Sequence, residues 1–109
     1  MPTRTNQTTA SIIKFLNYSN YFVWRNNTTG VWDPVKKVFR TNKTALKGVA
    51  DIVGLRYDST FIAVEIKTGR DKLSSDQETF KCNIENHNGI YIIAKDFDDF
   101  MKQFKEIGK

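Results

Sequence analysis

The sequence predicts a single α/β domain over residues 1–109, with a mixed β-sheet flanked by helices. Three observations carry that expectation. Two apolar runs, Val49 to Leu55 and Thr60 to Lys67, are joined by a turn around Tyr57-Asp58-Ser59 short enough for an antiparallel hairpin. A third apolar run, Ile90 to Ala94, follows only after a helical stretch from about Asp76 to Asn86. Helical patterns also stand near both ends of the chain.

The first helix covers Thr5 to about Leu16, where Ala10, Ile13, Phe15 and Leu16 make an apolar stripe widened by Ile12. The Asn17–Asn20 cluster ends it, and Tyr21-Phe22-Val23-Trp24 reads as a short strand rich in aromatic and β-branched residues. Arg25 to Lys47 is polar and irregular, with a short strand or hairpin arm over Val35 to Phe39. Ser74 with Gln77, or Ser75 with Glu78, has the capping-box spacing that starts the central helix, and Asn88-Gly89 stops it. A last helix runs from about Asp98 to Lys105, with Asp96 and Asp99 at its start and Phe100, Met101 and Phe104 on its buried side.

A chain of 109 residues buries only about 60–65% of its unfolded surface, so a partner subunit would add stability. Eight Phe, four Tyr and two Trp supply bulky core material. Seventeen Lys and Arg against twelve Asp and Glu give a net charge of +5, which favours a polyanionic partner. A nucleic acid fits better than an acidic membrane surface, since no lipid-anchor signal, long basic amphipathic helix or spanning segment is present. The single cysteine, Cys82, excludes an intramolecular disulfide, suits a reducing, cytoplasmic compartment, and reads as core filler rather than a nucleophile. His87 has no Cys or second His near it, so it reads as a helix C-terminal partner rather than a zinc ligand.

The chemistry concentrates in the hairpin. Asp51 interrupts the apolar run Gly48 to Gly54, and Glu65 interrupts Ile62 to Ile66. A charged carboxylate in either place is costly unless it is paired, exposed or bound to a metal. Lys67 lies two residues after Glu65 and shares its face of the strand. Across the hairpin Asp51 and Glu65 can face each other, and two carboxylates so placed repel unless a cation joins them. Mg²⁺ or Mn²⁺ would resolve that conflict through Asp51, Glu65 and the carbonyl of Ile66. An ion there activates water and polarises a phosphodiester, with Lys67 orienting or deprotonating the attacking water. On periodicity alone, a structural charge cluster at a sheet edge is the alternative.

The wider setting bears on that choice. Lys47-Gly48-Val49-Ala50-Asp51-Ile52-Val53-Gly54-Leu55, then Phe61-Ile62-Ala63-Val64-Glu65-Ile66-Lys67-Thr68-Gly69, then Leu73-Ser74-x-x-Gln77 resembles the VRR-NUC branch of the PD-(D/E)xK nuclease superfamily. Trp24-Arg25-Asn26-Asn27 and Gly89-Ile90-Tyr91-Ile92-Ile93 resemble it too, so the likeness spans about residues 12 to 97. The resemblance implies a restriction-endonuclease-like core and a small single-domain type common in bacteriophages, with a cytoplasmic location, that of the host cell if the protein is phage-encoded. It implies a metal-dependent endodeoxyribonuclease, with Asp51 and Glu65 as metal-binding acids and Lys67 as the catalytic lysine. Gln77 matches the family's helical glutamine.

The same likeness implies a homodimer acting on branched or structured DNA. It puts Arg25 near the site as a phosphate contact, although Arg25 also reads as an ion-pair partner of Asp33. Lys36, Lys37, Arg40, Lys43 and Lys47, with no acid among them, read either as a phosphate-contacting surface or as a solvated loop. Two departures stand out. Ala50 occupies the place where many relatives have proline, and the first helix offers only Asn6 and Gln7 where relatives tend to carry an acid. The second departure motivates the alternative of a non-catalytic DNA-binding or assembly protein retaining the nuclease fold.

Overall fold

The computed structural model describes residues 4–26, 31–40 and 46–107, with no account of the side chains of residues 4, 31, 32, 39 and 40. Helix α1 runs over Arg4–Tyr18. Its buried seam is Thr9, Ile12 and Leu16, a spacing of three and four residues. Ala10, expected on that stripe, is exposed, and Thr9 takes the inward position instead. The Thr9 hydroxyl can be buried because it donates to the Thr5 carbonyl at 2.8 Å.

The helix ends where Tyr21 N–H returns to the Leu16 carbonyl and Asn20 adopts φ 69°. Asn17 then clamps strand β1, Phe22–Arg25, by accepting from Val23 N–H at 2.9 Å and donating to the Val23 carbonyl at 3.2 Å. A separate hairpin follows, β2 over Val31–Asp33 and β3 over Val38–Arg40; the short strand or hairpin arm expected over Val35 to Phe39 starts only at Val38, since Val35 to Lys37 form the turn. Asp33 builds its turn by accepting from the backbone N–H of Val35 and Lys36.

Strands β4, Ile52–Leu55, and β5, Phe61–Ile66, form the expected antiparallel hairpin. Its turn is closed by Arg56 N–H to the Thr60 carbonyl and braced by an Arg56–Asp58 ion pair at 2.7 Å. Helix α2, Ser75–Asn86, then crosses to β6, Ile90–Ala94, which pairs parallel with β5. Helix α3, Phe97–Glu106, closes the described chain, its N-cap Asp96 accepting from Asp99 N–H at 2.7 Å. The main sheet is therefore mixed, in the order β1-β4-β5-β6.

Alternation along the strands divides the core between two faces. On one face Val23, Ile52, Ile62, Val64, Ile66, Ile92 and Ala94 pack against Ile12 and Leu16 of α1 and Phe100 of α3. Phe15 adds edge-on ring contacts with Phe97, Phe100 and Phe104. On the other face Ala50, Val53 and Ala63 pack against Phe80 of α2, with Tyr91 and Ile84 at the margin. Cys82 is exposed on α2, so it does not fill the core as expected. The inward positions of that helix belong to Phe80 and Ile84, and a residue midway between them in sequence falls on the opposite side of the helix.

Candidate active site

Strand register brings the two acids together. Ile52 pairs with Val64, so one further step sets Asp51 opposite Glu65, on the sheet face that α2 covers. Asp51 stands in a bend just before β4 and is held from both sides. Its Oδ2 accepts from Ile66 N–H at 2.8 Å, and its carbonyl accepts from Asn26 N–H at 2.8 Å. The expected strand start at Val49 is thus three residues early, and Asp51 occupies a strand end rather than a strand middle.

Glu65 is only 4% exposed. Its Oε1 accepts from Gln77 Nε2 at 3.2 Å and faces Lys67 Nζ at 3.9 Å. Its Oε2 is buried with no hydrogen-bond partner. Burial, and then the charge of Asp51, push the Glu65 carboxyl up to about 7, against a smaller opposing pull from Lys67. A carboxylate pair of this kind is short of positive charge, and a divalent cation answers that shortage. No group of three or more His, Cys, Asp and Glu side chains gathers among the described residues. Two carboxylates are nevertheless a sufficient protein contribution for Mg²⁺, which retains several waters. The orphaned Oε2 and the opposed acids therefore fit such an ion.

Gln77 closes the helix cap and also reaches Glu65. Its Oε1 accepts from Ser74 N–H at 2.8 Å while the Ser74 hydroxyl accepts from Gln77 N–H at 3.2 Å, closing the capping box. The amide nitrogen is left over, and it reaches Glu65. Of the two candidate boxes, Ser74 with Gln77 is the one formed.

Gly48 makes this docking possible. It has φ 78°, and a Cβ there would lie 2.4 Å from the backbone carbon and oxygen of Asp76 and 2.7 Å from Gln77 N. Only glycine lets the loop before Asp51 press directly on the first turn of α2. Beside this contact lies a cleft of roughly 450 Å³, walled by Phe61, Phe80, Ile84 and Leu46, with Lys47 and Asp76 also lining it.

The other expected residues are distributed more widely. Arg25 pairs in register with Ile52 and shares the α1 face of the sheet, where its Nη2 donates to Asn6 Oδ1 at 2.7 Å. It thus stands across the sheet from Asp51 and Glu65, beside Asn6 of the first helix. Lys36 and Lys37 are exposed at the turn of the β2–β3 hairpin, and Lys47 is exposed in the loop before β4. Arg40 lies in β3 without a described side chain, and Lys43 falls outside the described residues. His87 caps the end of α2, with Nδ1 2.7 Å from the Asn83 carbonyl.

Tyr91 reads in the sequence only as one apolar position of a strand, yet it borders the acids. It shares the α2 face with Glu65, its register partner being Ala63, and its ring meets Phe80 edge-on at 6.3 Å. Its hydroxyl is buried with no hydrogen-bond partner. Burial, and then the charges of Glu65 and Asp51, raise its pKa well above the ordinary tyrosine value. The sequence carried a partial signal: Glu65 and Tyr91 each bring a polar group into an apolar run. Phe22 and Trp24, the latter 46% exposed, lie on the same sheet face farther out, with their ring centroids 5.3 Å apart.

A four-stranded mixed sheet flanked by helices is an α/β fold consistent with a nuclease domain. The profile of the VRR-NUC domain matches residues 7–96, and the chain belongs to that family. Membership makes it a nuclease domain acting on DNA, and domains of this kind usually work with divalent metals. No curated protein and no solved structure matches the chain. Among the described residues, no helix is long and apolar enough to cross a membrane.

Proposed function

We propose that the protein is a divalent-metal-dependent endonuclease hydrolysing DNA phosphodiester bonds, with its active site on Asp51, Glu65, Lys67 and Gln77. The observation that carries this reading is Glu65: buried, set opposite Asp51, and left with an unpartnered oxygen. Retaining such a group costs stability, and Gln77 and Lys67 offset that cost only at its other oxygen. A cation-binding role explains it.

Asp51 and Glu65, with the carbonyl of Ile66, would hold Mg²⁺ or Mn²⁺. When bound, the ion would polarise the scissile phosphate and lower the pKa of attacking water. Asp51 is kept in place by Ile66 N–H, so its other oxygen has a defined direction. Gln77 fixes Glu65 through Oε1. Lys67 stands beside Glu65 and supplies positive charge to the pentacovalent phosphate, orienting or deprotonating the water. Lys36, Lys37 and Lys47, with Arg40 and Lys43 of the same basic segment, provide backbone contacts to DNA. Arg25 joins them from the rim of the opposite face.

Branched or otherwise structured DNA is the substrate that suits a homodimer, because two symmetry-related sites deliver two cuts. The test is incubation of the purified protein with linear, nicked and four-way DNA in Mn²⁺ and in EDTA. Cleavage is expected only with metal, and Asp51→Ala is expected to lose roughly 10³-fold or more in rate. Lys67→Ala should lose rate with little change in DNA affinity. Wild-type protein that cuts nothing, or Asp51→Ala that cuts as well as wild type, sinks this reading. Light scattering that finds only monomers on four-way DNA removes the dimer from it.

A further inference from the structure

Among the described residues, Glu65 Oε2 and the Tyr91 hydroxyl are the buried side-chain polar atoms left without a hydrogen-bond partner. They do not fall in unrelated parts of the protein. Strands β5 and β6 run parallel, with Ala63 beside Tyr91 and Glu65 beside Ile93, so Tyr91 and Glu65 are diagonal neighbours on one face. A diagonal separation of about 7–8 Å is within reach of an aromatic side chain and a long carboxylate. Phe80 packs edge-on against the ring and leaves the hydroxyl untouched.

We infer that Tyr91 is a positioning residue for Glu65: its buried, unpartnered hydroxyl is the donor that orients the equally unpartnered carboxylate oxygen when Glu65 turns toward a divalent cation. This rests on the metal reading proposed above. An orphaned phenol is a cost to the fold, and a second orphan one diagonal step away is the partner of opposite character. The phenol offers an O–H, and the carboxylate offers a lone pair. The terminal torsion of a glutamate is broad and nearly two-fold, so the Glu65 carboxylate can rotate toward a donor without leaving its rotamer. In the arrangement described, Gln77 and Lys67 both address Oε1. A hydrogen bond from Tyr91 would add a second fixed point, and a carboxylate held at two points keeps the direction that a cation requires. Tyr91 touches no substrate; it acts through Glu65.

The experiment is calorimetric titration of Mn²⁺ into wild type, Tyr91→Phe and Phe80→Leu without DNA, paired with melting curves in EDTA. Tyr91→Phe keeps the ring against Phe80 and removes only the hydroxyl. It is expected to bind Mn²⁺ about 10-fold or more weakly, in the range of metal-orienting partners. Its melting temperature in EDTA should equal or exceed that of wild type, because an unsatisfied buried group has gone. Phe80→Leu loosens the same packing without altering a polar atom, and should melt earlier while binding Mn²⁺ within about two-fold of wild type. Tyr91→Phe with wild-type affinity overturns the inference and leaves the metal reading intact. Loss of affinity in Phe80→Leu assigns the effect to packing and overturns it as well. Unfolding of Tyr91→Phe assigns the hydroxyl to the fold and likewise overturns it. Wild type that takes up no Mn²⁺ overturns the metal reading itself.

Discussion

Replacing Glu65 with glutamine removes a charge that the metal-free fold carries at a cost, and the cost can be worked out. The folded carboxyl titrates near 7, and its ordinary value is 4.5. Between those two values the folded chain holds a proton that the unfolded chain has released. Stability therefore falls as pH rises from about 4.5 to about 7, and this group changes it no further above that. Each unit is worth about 1.36 kcal/mol, so the ceiling is roughly 3 kcal/mol at pH 8. Glutamine preserves the shape and can still accept from Gln77 Nε2, but its own amide hydrogens need partners, which brings the expected gain to roughly 1–3 kcal/mol.

For a domain of this size that corresponds to about 5–15 °C in melting temperature. The assay is thermal unfolding followed by circular dichroism in EDTA at pH 8 and again at pH 5. Glu65→Gln should melt well above wild type at pH 8, and the difference should shrink strongly at pH 5, where wild type is largely protonated. Mn²⁺ should then raise the wild-type melting point at pH 8 by mass action and leave the variant nearly unmoved. Equal melting points at pH 8, or a gain of the same size at both pH values, would refute the claim that Glu65 is held as a costly buried charge.

Two further outcomes concern the loop and the helix that frame the acids. Gly48→Ala puts a Cβ into the backbone of Asp76 at a positive φ, and should destabilise by roughly 2–4 kcal/mol in urea unfolding while weakening Mn²⁺ binding through displacement of Gln77. Ser74→Ala removes half of the capping box and should cost about 1 kcal/mol by the same measurement. Its Mn²⁺ affinity should stay near that of wild type if Gln77 is fixed chiefly by Glu65.

The pairing of Asp51 with Glu65 was legible because it depends on local rules. A short turn fixes the hairpin, strand alternation fixes which residues share a face, and the two acids interrupt otherwise apolar runs. The α/β order, the Ser74–Gln77 cap and the Asn88-Gly89 stop are local in the same sense. The hairpin at 31–40 was harder to read, since three-residue strands carry too few positions to show a period.

What the tertiary structure decided concerns contacts between elements far apart in the chain. Thr9 rather than Ala10 faces the core because the rotation of α1 is set by the sheet beneath it, and the Thr5 carbonyl satisfies the hydroxyl. Cys82 faces outward because Phe80 anchors α2. Arg25 stands across the sheet from the acids because its strand position gives it the parity of Val23, whatever its distance in sequence from them. Tyr91 reaches the acids only through the parallel crossover from β5 to β6. Sequence patterning thus determined that two carboxylates and a lysine share one face of the hairpin; the tertiary structure set Asp51 just before its strand, and the packing of α2 and β6 decided which further groups surround them, because such packing sums weak contacts over many residues and leaves no periodic mark on any one segment.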